Sequence, residues 1–152
     1  MTEHKLVDAC QEVLVKKLPG VLLYKIADRF TGGIPDLEVN FNLHTTKIEF
    51  KYLKPGETVD DKWEPTQLET CVKYEKTTGR CWIVAYQHMH RKQQGAITLI
   101  YRPSYLLRME HPRVLIETTQ RMDSRCLWSR GILRFEGFDH MAVAQLIYQT
   151  HL

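Results

Sequence analysis

Lys47-Ile48-Glu49-Phe50-Lys51-Tyr52-Leu53 is the stretch on which the reading of this chain turns. In an extended strand, side chains i and i+2 share a face. Ile48, Phe50 and Tyr52 therefore present an apolar side, while Glu49 and Lys51 project together from the other. Burying an acid and a lysine side by side is costly unless something compensates, because buried charge must be paired. Upstream, Leu37–Phe41 alternates in the same way, and residues 42–46 are short enough to close a hairpin. That hairpin brings Asp36, the end of Gly33-Ile34-Pro35-Asp36, beside Glu49. Two close carboxylates raise each other's pKa unless a divalent cation relieves the repulsion. Hard oxygen donors of this kind suit Mg²⁺ or Mn²⁺. Such an ion polarises a phosphoryl group and activates water, while a neighbouring lysine orients the water and offsets developing charge. A lone Glu-x-Lys triplet is more often a solvated cross-strand pair. The Gly-Ile-Pro-Asp run thirteen residues upstream of Glu49 is what favours a phosphodiesterase site.

The surrounding pattern supplies a scaffold. Residues 3–18 read as an amphipathic helix with Leu6, Cys10, Val13, Leu14 and Lys17 on one stripe, stopped by Pro19-Gly20. Residues 21–26 are a short β-rich run, 28–33 a loop, and 54–64 a charged loop containing Pro55-Gly56. A helix is expected over 65–78, with Pro65 in its first turn and Gly79 ending it. Residues 81–86 read as a buried strand and 97–101 as another. In the tail, 104–110 reads as helical, 114–118 as a strand, and Asp139 as the cap of a last helix over 140–151. Met141, Ala144, Ile147 and Tyr148 share a face of that helix. The order α-β-β-β-α-β-β gives an α/β domain, a mixed central sheet flanked by helices.

Composition bounds the rest. The chain has 152 residues, 43% hydrophobic and 26% charged, which is one soluble domain with an ordinary core. No apolar run reaches the roughly 20 residues needed to span a bilayer. Met1-Thr2-Glu3-His4-Lys5 does not read as a signal peptide, so a cytoplasmic protein is expected, in the host cytoplasm if phage-encoded. Cys10, Cys71, Cys81 and Cys126 are scattered, without a CxxC pair, and are expected to be reduced thiols. The net charge of +3 is unevenly spread. Residues 1–87 carry 12 Lys+Arg against 13 Asp+Glu, and residues 88–134 carry 9 against 3. Arg121, Arg125 and Arg130 lie in that basic stretch and are candidate phosphate contacts; a solvated basic surface is the plain alternative.

Gly33-Ile34-Pro35-Asp36, Glu49-Phe50-Lys51 and Gln67 resemble the motifs of the PD-(D/E)XK nuclease superfamily, and within it the VRR-NUC domains. Their pattern is an acid on the first helix, G-x-P-D, E-x-K, and a glutamine on the next helix. The resemblance covers residues 3–87. It implies a restriction-endonuclease-like core over about 3–101 within a single domain, with 102–152 an elaboration of unassigned role. It further implies Asp36, Glu49 and the Phe50 backbone carbonyl as metal ligands, Lys51 as the catalytic lysine, and Gln67 beside the site. Small stand-alone members resemble phage-type Holliday-junction resolvases. The implied activity is therefore metal-dependent endonucleolytic cleavage of branched DNA. One active site per chain and two strands to cut make a homodimer the expected form.

The first-helix acid has two candidates. Glu3 lies on the inward stripe with Leu6, Cys10 and Val13, whereas Glu12 is turned about 180° away at ~100° per residue. Glu3 is therefore the expected metal neighbour, although a glutamate at a helix start is also common for the macrodipole alone. Lys25 and Arg29, with Tyr24, precede the glycine-rich turn and are candidate phosphate contacts or an exposed basic loop. Thr31-Gly32-Gly33 is too short for a nucleotide loop. His88-Met89-His90 lacks an evident third metal ligand, and Trp63, Trp82 and Trp128 read as core or interface. Two alternatives stay open: a sequence- or damage-specific endonuclease of the same chemistry, and a non-catalytic nucleic-acid-binding or inhibitor protein on this scaffold.

Overall fold

The structure, a computed structural model, describes residues 2–26, 35–57, 66–88, 95–107 and 132–152. In chain order its elements are α1 (Glu3–Lys17), β1 (Leu22–Lys25), β2 (Leu37–Phe41), β3 (His44–Leu53), α2 (Gln67–Thr78), β4 (Cys81–His88), β5 (Ala96–Tyr101), α3 (Pro103–Leu107), β6 (Ile132–Glu136) and α4 (His140–Thr150). Among the described residues, six strands form one sheet in sequence order, β1 to β6. Only the β3–β4 pairing is parallel, because α2 forms the crossover between them; the other pairings are antiparallel. The expected α/β class and mixed sheet are observed.

Each sheet face has its own core. On one, Ile48 and Phe50 of β3 meet Trp82, Val84 and Tyr86 of β4 beneath α1 and α4. On the other, Leu53, Ile83, Ala85, Leu99 and Tyr101 pack with Leu106 of α3. Helix α1 starts under a Thr2 cap, whose hydroxyl accepts from Lys5 N–H at 3.3 Å. It buries Leu6, Val7, Cys10 and Leu14. Helix α2 ends at Gly79, whose φ of 72° is the left-handed conformation glycine adopts without strain.

Several expectations need correction. The tail contains a strand that pattern reading missed, β6, which extends the sheet beyond β5. Asp139 does cap α4, accepting from Ala142 N–H at 2.9 Å. That helix, however, buries Ala142, Val143, Ala144, Leu146 and Ile147 and leaves Met141 and Tyr148 exposed. Its inward face is set by packing against α1, and it is turned by about one residue from the face expected. Lys17 is likewise exposed and Val7 takes its place on the buried stripe. The β2–β3 connection is tighter than residues 42–46: Asn42 and Leu43 both adopt positive φ, and His44 already pairs with Phe41. Residues 114–118 lie outside the described residues.

Candidate active site

Strand β3 outruns strand β2. The last pair of their ladder is Leu37 with Ile48, so among the described residues the β2-side edge of β3 from residue 50 onward has no strand to bond. Backbone N–H groups left in this way need acceptors, and two carboxylates provide them. Phe50 N–H donates to Asp36 Oδ2 at 2.8 Å, and Tyr52 N–H donates to Glu3 Oε2 at 3.2 Å. Within a paired strand residue, N–H and C=O point the same way, so the Phe50 carbonyl belongs to this same edge. The helical phase chosen from sequence is observed: Glu3 reaches β3, and Glu12 is exposed.

The side chains of Glu49 and Lys51 leave β3 on the α2 side of the sheet and are 2% and 5% exposed. Lys51 Nζ lies 3.3 Å from Glu49 Oε1 and donates to Gln67 Oε1 at 2.8 Å. Gln67 opens α2, so the helix that makes the crossover also delivers an acceptor to the lysine. Glu49 Oε2 is buried and meets no hydrogen-bond donor among the described residues.

The electrostatics follow from burial. Glu49 is pushed up to about 8, first by burial, then by the charge of Asp36, with Glu3 adding to the rise and Lys51 opposing it. Asp36 is also raised by burial, against the pull of the Phe50 N–H, the charge of Lys51, a hydrogen bond with the Glu49 carboxyl and the charge of Lys25. A buried carboxyl with a half-buried one beside it favours retaining a proton at neutral pH. A divalent cation meets the same need, and the donor-less Glu49 oxygen beside Asp36 fits one. The preformed set is small: among the described residues no group of three His, Cys, Asp or Glu side chains stands ready to hold a metal.

The other candidates fall as follows. Lys25 Nζ is held by Asp8 Oδ1 at 3.0 Å and His4 Nδ1 at 3.0 Å, and its charge still reaches Asp36. The His88 ring packs edge-on against Phe138 and Tyr52, with centroids 4.9 and 5.7 Å apart. Trp82 is core, and Cys10, Cys71 and Cys81 are buried thiols. Gly33, Arg29, His90, Trp63, Trp128, Cys126 and the arginines 121, 125 and 130 lie outside the described residues.

Sequence reading missed Glu75. It is buried on α2, forms a salt bridge with Arg102 at 3.1 Å, and accepts from Ser104 N–H at 2.7 Å and Ser104 Oγ at 2.8 Å. These bonds tie α2 to the start of α3 and so fix the helix that carries Gln67. A glutamate mid-helix gives no local sign of such a partner 27 residues away.

No protein-family model matches the chain, and no curated protein matches it. Among solved structures, the chain is similar to Hjc of Archaeoglobus fulgidus, a Holliday junction resolvase from an archaeal hyperthermophile. The two are 15% identical, the match covers 71% of this chain and 79% of that one, and the TM-score is 0.43. Among the described residues, no helix is long and apolar enough to cross a membrane.

Proposed function

We infer that the protein is a metal-dependent endonuclease of the PD-(D/E)XK type that hydrolyses DNA phosphodiester bonds, acting on branched DNA as a homodimer. The observation that carries this reading is the buried Glu49–Lys51 pair, with one Glu49 oxygen that meets no donor among the described residues and Asp36 near enough for its charge to raise Glu49. A structural ion pair has no use for a second, half-buried acid beside it, and bringing like charges together out of water is costly. Asp36, Glu49 and the Phe50 carbonyl would hold Mg²⁺ or Mn²⁺, with Glu3 next to them. The cation supplies Lewis-acid polarisation of the phosphoryl group. Lys51, steadied by Gln67, orients the attacking water and offsets the charge that builds on the phosphoryl oxygens. Lys25, whose charge reaches Asp36, with Arg29 and the arginines of 88–134, would contact backbone phosphates without reading sequence.

A second reading has its own support. Asp36 and Glu3 accept backbone N–H groups of β3, which is work a carboxylate can do in a scaffold that binds nucleic acid without cutting it. One experiment separates the two. The purified chain is incubated with linear, flap, splayed and four-way DNA in Mg²⁺, Mn²⁺ or EDTA. Cleavage that needs the cation and favours branched substrates is expected. Undiminished cleavage in excess chelator removes the metal mechanism; binding without cleavage in either cation leaves the second reading.

A further inference from the structure

The start of α1 attaches to both sides of the site's edge. Glu3 reaches β3 through the Tyr52 N–H. One turn of the same helix reaches β1 instead. Lys25 Nζ donates to His4 Nδ1 at 3.0 Å and to Asp8 Oδ1 at 3.0 Å, and His4 Nε2 lies 3.3 Å from Asp8 Oδ2. Asp36 is close by. Ile26, the residue after Lys25, donates its N–H to the Asp36 carbonyl at 2.8 Å, and the charge of Lys25 reaches the Asp36 carboxyl. A lysine ammonium sits on a flexible four-carbon stem. Here it is a cation beside acids that attract one: Asp36 feels its charge, and Asp36 in turn raises Glu49. Ion pairs this exposed add little to stability, yet the one lysine is held by two acceptors, i and i+4 on a neighbouring helix.

We propose that Asp8 and His4 are positioning residues that tether Lys25 at the rim and keep its ammonium from pairing with Asp36, so that the place beside Asp36 and Glu49 stays open to a divalent cation. Released from α1, Lys25 is a competitor built into the chain. It neutralises Asp36 and opposes the cation by like charge, without touching the Lys51–Gln67 contact. Asp8 supplies the stronger hold, since it is charged, and His4 adds a second acceptor that fixes the direction of the ammonium. The tether rests on the metal-dependent reading of the site and adds to it residues on α1 that touch neither the cation nor DNA.

The test uses the full chain without DNA and has two readouts. The first is Mn²⁺ binding by calorimetry. Asp8→Ala should weaken it roughly tenfold, as changes outside the ligand set do, and Asp8→Glu, which keeps a carboxylate, should stay within about threefold of the parent. Lys25→Met should tighten it about threefold or more, because a like charge is gone. With Lys25→Met in place, adding Asp8→Ala should change affinity by less than about twofold, since the tether then has nothing to hold. The second readout is metal-free. Urea denaturation in EDTA measures the coupling between Lys25→Met and Asp36→Asn, which should grow when Asp8→Ala lets the ammonium reach Asp36. Asp8→Ala that weakens Mn²⁺ equally with and without Lys25 overturns the proposal, because Asp8 then acts by its own charge. Coupling that does not grow in EDTA overturns it as well. A parent chain that binds no Mn²⁺ removes the metal reading of the site, and the measurement in EDTA then decides the tether by itself.

Discussion

The two faces of β3 are made of neighbouring residues in one short strand and do opposite work. Ile48 and Phe50 are sealed under α1 and α4, with the Phe50 ring stacked on Tyr86 at 6.1 Å between centroids. Glu49 and Lys51 are buried almost as deeply, yet on the α2 side each meets charge. Burial on the first face stabilises the fold through apolar area. On the second it carries a desolvation cost, which raises Glu49 and leaves an oxygen without a donor. The lesson is that similar burial in one strand can mark a core or a site, and that the polar groups decide which.

The comparison is sharpest in a pair of substitutions. Phe50→Ala should cost about 3–5 kcal/mol of unfolding free energy, as loss of a buried ring does, read by urea denaturation. Lys51→Met should lower single-turnover cleavage by about 10²–10³-fold, the loss typical of one preorganised charge-stabilising donor. It should also leave a folded protein that still binds DNA. Cleavage by Lys51→Met at the parental rate would remove the assigned role of that face.

The Glu49 carboxyl gives a smaller effect, with a defined sign. Its folded pKa lies above its unfolded value, so between about pH 4.5 and 8 the native state holds a proton that the unfolded chain releases. Stability of the metal-free protein should therefore fall as pH rises through that window and level off above it. Glu49→Gln should flatten this fall. Comparing the two proteins cancels the histidines: His140 and His151, both lowered by burial, lose stability in the opposite direction as pH drops. Cation affinity should rise over the same window, because the metal takes the place of the proton. Identical pH profiles for parent and Glu49→Gln in chelator would show that burial does not strain this carboxyl.

Smallest is the effect at the rim between the faces. Glu3→Gln keeps an oxygen acceptor for Tyr52 N–H but removes a charge, and should raise the Mg²⁺ concentration for half-maximal cleavage by roughly tenfold, as outer-shell changes do. Glu12→Gln, on the exposed face of α1, should change nothing. If both variants titrate like the parent, Glu3 serves only to seal the edge of β3.

Much of this site could be read from the chain because its signals are local. Strand alternation put Glu49 and Lys51 on one face, a short connection put Asp36 near them, and helical phase chose Glu3 over Glu12. Each needs only the period of one element or the closure of one hairpin. Strand β6 and the inward face of α4 were not legible, since both depend on partners far along the chain: β5 across the sheet and α1 beneath it. The Glu75 clamp escaped for the same reason.

What the sequence determined by itself was the chemistry available and the face of each element that would carry it. The tertiary structure decided where β2 stops against β3. Among the described residues, that single mismatch leaves the Phe50 and Tyr52 amides without a strand, draws Asp36 and Glu3 to them, and sets both acids beside the strand that buries Glu49 and Lys51. Residue periodicity cannot specify it, because the end of a ladder is set by where the neighbouring strand begins and not by the strand that outruns it.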